Sequence, residues 1–248
     1  MHLLPHEAQS FMREFLSKYS RANNQSDCGF APAYLSIPAL QQVLPPESGI
    51  LVGAQNVHWT ETGAHTGEVS PKMLASAGVD FAIIGHSERR ALYGENDSHV
   101  ALRTKAALEN GLMGVVCVGE TQEQYQSGST IEIVKGQLSA ILAVLSGEVT
   151  SRLIIAYEPV WAIGTGLAAT PEHARNVHTL IRSELNQKFG TSAGEQIRIL
   201  YGGSTKPDNI AELIAQPNVN GALVGGASLK PDMFYDLISA GRTAYGNA

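Results

Sequence analysis

Short apolar runs, rich in β-branched residues, recur along the chain and alternate with segments whose apolar positions have helical spacing. The runs lie at residues 28–31, 50–54, 81–84, 113–118, 153–157, 197–201 and 221–224. They are apolar almost throughout and do not alternate with polar residues, which is typical of parallel strands buried on both faces of a sheet. The pattern therefore predicts seven parallel strands connected by helices.

The first predicted element is a helix and not a strand. Pro5 stands where a helix can begin, and five apolar residues follow it at helical spacing: Phe11, Met12, Phe15, Leu16 and Tyr19. Seven strands, about eight helices and the lack of a GxGxxG sequence favour a closed barrel over an open doubly wound sheet. We expect a single α/β domain over residues 1–248, a (β/α)8 barrel that lacks its first β-strand.

Composition restricts the partners of the protein. Apolar residues form 44% and charged residues 16% of the 248-residue chain, which suits a globular domain. The net charge is −6 and there is no basic cluster, so nucleic acid is not an expected partner. No apolar run is long enough to span a bilayer, the sequence shows no secretory leader, and two cysteines are too few for a disulfide framework. We expect a cytoplasmic protein that does not bind membranes.

Two titratable residues follow predicted strands, at the end of the sheet where the active sites of (β/α)8 barrels lie. His86 precedes a helix predicted to begin near Ser87, and the helix dipole there favours a neutral imidazole that donates a hydrogen bond. Glu158 ends a very apolar strand, where burial disfavours its charged form and strengthens it as a base. Each could instead be structural, as a helix-start histidine or a carboxylate paired with a surface Lys or Arg. Together they favour acid–base chemistry.

The loops after the last three predicted strands are rich in glycine. Residues 159–169 begin with a proline, continue with an apolar stretch and contain two glycines, which suits a lid that closes over a ligand. The sequences YGGS, residues 201–204, and VGGAS, residues 224–228, place glycines before predicted helices, where backbone N–H groups can hold a phosphate. An ordinary strand–helix connection is the alternative for each loop, but the last two together match the usual phosphate site of such barrels.

Four motifs carry a resemblance to one enzyme family: AYEPVWAIGTG at 156–166, IGHSERR at 84–90, YGGS at 201–204 and GALVGGASL at 221–229. Over essentially the whole chain, they resemble the triosephosphate isomerase family. The resemblance implies a TIM (β/α)8 barrel and the interconversion of dihydroxyacetone phosphate and D-glyceraldehyde 3-phosphate through an enediolate. It also implies a phosphorylated triose as substrate, with no metal and no cofactor.

The resemblance implies a role for each matching residue. Glu158 resembles the base that removes a proton next to the carbonyl, and His86 resembles the neutral electrophile that polarises the carbonyl oxygen. Four backbone N–H groups resemble the phosphate-binding groups: those of Gly164, Ser204, Gly225 and Gly226. Four further residues match positions near the site: Ser87, Glu88, Cys117 and Glu120. Segment 53–70 resembles a loop whose tip, near Thr66, reaches into a neighbouring subunit, which implies a homodimer.

The beginning of the sequence departs from the family. The family's first strand carries an Asn and a Lys shortly before the methionine that is Met1 here, so the sequence contains neither. Since Glu88 resembles the carboxylate that pairs with that Lys, we expect Glu88 to be unpaired in a partly buried place. We favour a family member whose chain extends beyond Met1. The alternatives are a catalytically impaired member that binds phosphorylated trioses or acts as an oligomeric scaffold, and another phosphosugar isomerase.

Overall fold

One parallel sheet organises the protein. The computed structural model describes residues 1–20, 26–164 and 168–245, and the strands among them number seven. The strands are β1 (Cys28–Phe30), β2 (Ile50–Ala54), β3 (Phe81–Ile84), β4 (Met113–Val118), β5 (Leu153–Tyr157), β6 (Arg198–Tyr201) and β7 (Gly221–Ala222). Every predicted strand is confirmed to within two residues at either end. β7 is the shortest, because it pairs only with β6 and its ladder ends at Ala222.

The strands follow one another in the sheet in the order in which they occur in the chain. Each pairs in parallel with the next, as where Cys117 of β4 lies opposite Ala156 of β5. The sheet curls as in a TIM barrel, and no strand in the described ranges joins β7 to β1. This confirms the predicted fold class, a (β/α)8-type barrel lacking one strand. All the carboxyl ends of the strands lie on one rim of the curled sheet.

Helices connect the strands and cover the outer face of the sheet. The described residues contain α1 (Pro5–Leu16), α2 (Ile37–Gln41), α3 (Pro71–Ser76), α4 (Ser87–Tyr93), α5 (Asp97–Glu109), α6 (Gln122–Gln126), α7 (Thr130–Ala143), α8 (Pro171–Phe189), α9 (Thr191–Gly194), α10 (Ile210–Ile214) and α11 (Pro231–Tyr245). The sequence predicted about eight helices. Helices as short as α2, α6, α9 and α10 give no periodic apolar pattern by which they could be predicted. Within the described parts of the chain, no helix combines the length and apolarity that a membrane crossing requires.

Local signals explain where several helices begin and end. Ser70 and Thr170 each accept a hydrogen bond from a backbone N–H group three residues later, and a proline follows each of them. α1 begins at Pro5 as predicted, but it ends at Leu16, so Tyr19 lies beyond the helix. Tyr19 remains buried because its ring stacks on that of Phe15, with the centroids 5.1 Å apart.

The apolar core has two parts. The larger lies between the outer face of the sheet and the helices, and the smaller lies inside the curl around Phe81, Val115, Cys117 and Ala156. Beside the open edge, four aromatic rings hold α1 and α11 against β1: those of Phe11, Phe15, Phe30 and Phe234. The first and last helices therefore pack together although β1 and β7 do not pair.

Candidate active site

The carboxyl ends of β3 and β5 bring His86 and Glu158 into contact. His86 lies just beyond β3 and Glu158 just beyond β5, and His86 Nε2 is 3.0 Å from Glu158 Oε1. Only 2% of Glu158 is exposed. The two residues are 72 positions apart in sequence, so the curl of the sheet is what joins them.

The two oxygens of Glu158 have different surroundings. Oε2 accepts a 2.9 Å hydrogen bond from the backbone N–H of Ser87, the first residue of α4. Oε1 lies near His86 Nε2, but no donor in the described part of the chain is aligned for a hydrogen bond with it. One oxygen is thus held by the backbone, and the other keeps a lone pair that can accept a proton.

His86 caps the beginning of α4, as the sequence predicted. Its Nδ1 accepts a 3.3 Å hydrogen bond from the backbone N–H of Glu88, so the neutral ring carries its proton on Nε2. Burial lowers the pKa of His86, but the close contact with Glu158 and its charge, and then the charge of Glu88, outweigh burial and raise it above 6.5. The helix dipole alone predicts a neutral ring. The Glu158 carboxylate, which that prediction left out, favours the charged ring.

Cys117 lies beside the pair, on β4. Burial raises the pKa of its thiol, and the nearby charge of Glu158 raises it further, so the group remains a thiol. The guanidinium of Arg90 donates hydrogen bonds to the carbonyl oxygens of Gly85 (2.9 Å) and Cys117 (3.2 Å), which ties the ends of β3 and β4 together. A cavity of about 600 Å³ between α4 and α7 has Cys117 and Glu158 in its wall.

Glycines after the neighbouring strands make room for Glu158. A Cβ atom on Gly119 would lie 1.8 Å from the carbonyl oxygen of Glu158, and one on Gly202 would lie 2.8 Å from its Cγ. The sequence placed Gly202 in a phosphate-binding motif, and its contact with Glu158 was not predicted. The signal was available, since both glycines follow a strand adjacent to β5 in the predicted sheet.

Both ends of the predicted lid, 159–169, are attached to the barrel rim. Near its beginning, the indole Nε1 of Trp161 donates a 2.8 Å hydrogen bond to Glu120, which follows β4. At its far end, the backbone N–H of Ala169 donates a 3.2 Å hydrogen bond to the hydroxyl of Tyr201. Residues 165–167 of this segment lie outside the described residues. Tyr201 is an anchor that sequence reasoning missed, because its apolar strand context concealed the role of its hydroxyl.

The candidate phosphate-binding residues all follow carboxyl ends of strands. Gly164 comes after β5, Ser204 after β6, and Gly225 and Gly226 after β7. Gly164 has a φ of 69°, which favours glycine, and open space surrounds the position where its side chain would be. Gly225 and Gly226 are exposed and are also bordered by open space, whereas Ser204 is half-buried. Their backbones thus lie on the same rim as His86 and Glu158.

Comparison with known proteins identifies the family. The family model described as "Triosephosphate isomerase" matches residues 1–241, nearly the whole chain.

The chain belongs to the triosephosphate isomerase family.

Curated relatives with that name cover most of the chain. The triosephosphate isomerase of Carboxydothermus hydrogenoformans is 45% identical over 238 residues, which is 96% of this chain and 94% of the relative. That of Citrifermentans bemidjiense is 47% identical over 208 residues, 84% of this chain and 82% of the relative. That of Streptococcus pyogenes serotype M2 is 42% identical over 234 residues, 94% and 92% respectively. The resemblance drawn from four motifs is therefore confirmed along the chain.

Glu88 departs from the expectation drawn from the triosephosphate isomerase family. Its side chain is 72% exposed and lies 3.9 Å from His86 Nδ1, so the prediction of a partly buried carboxylate is wrong. Glu88 lies in the first turn of α4, and no described segment covers its side chain there. Solvent hydrates this carboxylate, so its desolvation cost is small. Thr66 is exposed in the loop that resembles the family's intersubunit loop.

Proposed function

We propose that this protein interconverts dihydroxyacetone phosphate and D-glyceraldehyde 3-phosphate by proton transfer through an enediolate. The observation that carries the proposal is the 3.0 Å contact between His86 Nε2 and a buried oxygen of Glu158 that has no aligned donor in the described chain. Membership of the triosephosphate isomerase family supports the same reaction. A binding protein or scaffold would not need a buried base beside a ring that can donate a hydrogen bond.

Glu158 and His86 act on neighbouring atoms of the triose. Glu158 Oε1 takes a proton from the carbon next to the carbonyl, and the electrons of that C–H bond form the C=C bond of the enediolate. His86 donates from Nε2 to the carbonyl oxygen, on which the negative charge develops. Glu158 then returns the proton to the former carbonyl carbon. The proton of the other hydroxyl passes through His86, and the product is the other triose.

Proton transfer to Glu158 moves the negative charge that His86 faces. In the free site, the proximity and charge of Glu158 raise the pKa of His86, whereas burial lowers it. When Glu158 takes the proton, the negative charge lies on the enediolate oxygen to which His86 Nε2 donates.

Other residues position the reacting groups and the phosphate. Ser87 holds Glu158 through its backbone N–H, and we assign Glu88 and Cys117 supporting roles beside the pair. Four backbone N–H groups are proposed to bind the phosphate: those of Gly164, Ser204, Gly225 and Gly226. Closure of the lid at 159–169 would exclude water and suppress loss of phosphate from the enediolate. No metal or cofactor takes part in this mechanism.

We extend the proposal to the assembly of the protein. A single sheet from β1 to β7 supports one domain over residues 1–248. The exposed loop that contains Thr66 supports a homodimer in which this loop contacts the second subunit. A place in the cytoplasm is proposed from the family's small glycolytic substrate.

Substitution of Glu158 by Asp tests the role of the base. The shorter side chain withdraws the carboxylate by roughly one methylene, so kcat falls by about 100-fold or more while KM changes by less than about threefold. The measurement is the rate of glyceraldehyde 3-phosphate formation from dihydroxyacetone phosphate. Glu123→Asp, the same change at an exposed position of α6, keeps normal activity. An unchanged kcat in Glu158→Asp would refute the assignment, and binding of the triose without turnover by the parent chain would refute the proposed function.

A further inference from the structure

Beyond Val116, the edge of β4 that pairs with β3 has no strand beside it. The pairing ends where Val116 lies opposite Ile84, and after two more residues the chain that follows β3 enters α4. Backbone N–H and C=O groups on this edge of β4 then need other partners. The carbonyl oxygen of Cys117 accepts a hydrogen bond from Arg90. Two residues later comes Gly119, whose N–H and C=O have no backbone partner in the described part of the chain.

The side chain of Gln137, on α7, supplies both missing partners. Its Oε1 accepts a 2.7 Å hydrogen bond from the N–H of Gly119, and its Nε2 donates a 3.1 Å hydrogen bond to the carbonyl oxygen of the same residue. The side-chain amide thus bonds to Gly119 in the way that a neighbouring strand would. Because one planar group makes both bonds, it fixes the orientation of the backbone at Gly119 as well as its position.

Gly119 in turn lies against the backbone of Glu158. A Cβ atom on Gly119 would lie 1.8 Å from the carbonyl oxygen of Glu158 and 2.7 Å from its carbonyl carbon, so the two backbones touch with no side chain between them. Hydrogen bonds join the same two segments on either side of Gly119. The N–H of Glu158 donates to Val118 at 2.8 Å, and the N–H of Val160 donates to Glu120 at 3.1 Å. A shift of the segment around Gly119 would therefore carry the backbone of Glu158 with it.

There is room for such a shift. The cavity of about 600 Å³ between α4 and α7 has Gly119, Gln137 and Glu158 in its wall. Atoms that border empty space lack packing contacts on that side, and Gly119 has no side chain of its own to pack. The two hydrogen bonds from Gln137 thus hold a backbone segment that could otherwise move into the cavity.

We propose that Gln137 is a positioning residue for Glu158. Its amide holds Gly119, Gly119 supports the backbone of Glu158, and the carboxylate is thereby kept where it meets His86 Nε2 and the substrate. Displacement of a reacting group by about 1 Å can slow a reaction by about 100-fold, so a small shift at Gly119 has a large effect. The effect of Gln137 on turnover rests on the proposed function, whereas its effect on the contact between Glu158 and His86 does not.

Substitution of Gln137 by Met tests the effect on turnover. Methionine keeps the length of the side chain and removes both hydrogen bonds to Gly119. We expect kcat to fall by about 10-fold or more while KM changes by less than about threefold, because the base moves and the phosphate-binding backbone does not. The measurement is steady-state kinetics with dihydroxyacetone phosphate, with a thermal melt to show that the variant is folded. Gln126→Met, the same change at an exposed position of α6, keeps the kinetics of the parent chain. An unchanged kcat in Gln137→Met would overturn the proposal.

The ring of His86 reports the position of Glu158 without turnover. Contact with Glu158 raises the pKa of His86, so a displaced carboxylate leaves this pKa lower in Gln137→Met than in the parent chain and in Gln126→Met. The ring ¹⁵N signals of His86 in a pH titration measure it. Equal titrations in the parent and in folded Gln137→Met would overturn the proposal. If the pKa falls but the parent does not turn over the triose, the proposed function fails and the role of Gln137 stands.

Hydrogen exchange at Gly119 tests the contact in the parent chain itself. We expect the N–H of Gly119 to exchange at least about 10-fold more slowly than an unbonded amide, and to lose this protection in Gln137→Met. Exchange of Gly119 at the unprotected rate in the parent chain would overturn the proposal. This measurement decides the matter even if Gln137→Met does not fold.

Discussion

At the scale of single residues, the contact of His86 with Glu158 makes the protonation of each depend on the other. The carboxylate raises the pKa of a ring that burial alone would lower. The backbone N–H groups of Ser87 and Glu88 fix one carboxylate oxygen and one ring nitrogen, which leaves the facing atoms of the two side chains for chemistry. The first turn of α4 thus orients both members of the pair.

Substitution of Glu158 by Gln tests this dependence. The amide keeps the shape and removes the charge, so the pKa of His86 falls below its value in the parent chain and below 6.5, because burial remains. The ring ¹⁵N signals of His86 in a pH titration measure the change. The raised pKa also means that the contact stabilises the folded state below pH 6.5, and that this stabilisation is lost as the pH rises through the pKa of the folded state.

The matching control is Glu88→Gln. The charge of Glu88 is the smallest of the contributions that raise the pKa of His86, and the side chain is exposed. The decrease in this variant is therefore smaller than in Glu158→Gln. Equal decreases in the two variants would contradict the dominant role of Glu158.

At the scale of elements, the carboxyl ends of β4, β5 and β6 are packed so closely that side chains are excluded at particular positions. The space beside Glu158 is bounded by Gly119 on one side and Gly202 on the other. A Cβ atom on Gly203 would lie 2.3 Å from the hydroxyl of Tyr201, the residue that holds the far end of the lid. Glycines after these strands therefore determine where the base and a lid anchor can lie.

The substitution Gly202→Ala introduces a Cβ atom 2.8 Å from Glu158 Cγ. The carboxylate must move, so kcat/KM falls by about 10- to 100-fold. The measurement is steady-state kinetics with dihydroxyacetone phosphate, together with a thermal melt to confirm that the variant is folded.

Gly136→Ala is the matched control for the glycine substitution. Gly136 lies within α7 and has no atom within 4 Å of the position of its missing Cβ. The Gly136→Ala variant keeps normal activity. Its free energy of unfolding increases by about 0.5–1 kcal/mol, because alanine has a higher helix propensity than glycine. Normal kinetics in Gly202→Ala would show that the side chain of Glu158 has more freedom than this packing allows.

The sequence predicted those elements whose signals are local. Continuous apolar runs located every strand, and the Ser70–Pro71 and Thr170–Pro171 pairs located two helix starts, because buried parallel strands and capped helices follow from neighbouring residues. The bond from Ala169 to Tyr201 and the exposure of Glu88 depend on residues distant in sequence. Those features require the packed structure.

At the scale of the whole molecule, a buried histidine makes stability depend on pH. His178 of α8 is fully buried, and its Nδ1 lies 3.0 Å from the carbonyl oxygen of Asn218. In the described chain no donor or acceptor is aligned with its Nε2, which lies among the rings of Tyr157 and Tyr201. Burial lowers the pKa of His178 to about 4. The ring of His178 therefore stays neutral in the folded protein down to about pH 4, whereas in the unfolded chain it takes up a proton near pH 6.5.

We expect the free energy of unfolding to decrease as the pH falls from 6.5 to about 4. In this range the unfolded state binds a proton at His178 and the folded state does not, which destabilises the folded state by about 3 kcal/mol at about 1.4 kcal/mol for each pH unit. Urea denaturation at a series of pH values measures the slope. His178→Asn keeps a donor near the Asn218 carbonyl and removes the titration, so its slope is shallower; equal slopes would exclude His178 as the cause.

The order of the strands has a consequence for how the chain acquires its structure during synthesis. Because each strand pairs with the next one in sequence, β1 and β2 can pair once residue 54 has left the ribosome. When each later strand emerges, the strand it pairs with has already been synthesised. Among the described strands, each pairing joins two strands that are consecutive in sequence, which keeps the loops that must close short and favours rapid folding. The packing of α11 on α1 is the exception, since it joins the first and last described helices and has to wait until α11 has been synthesised.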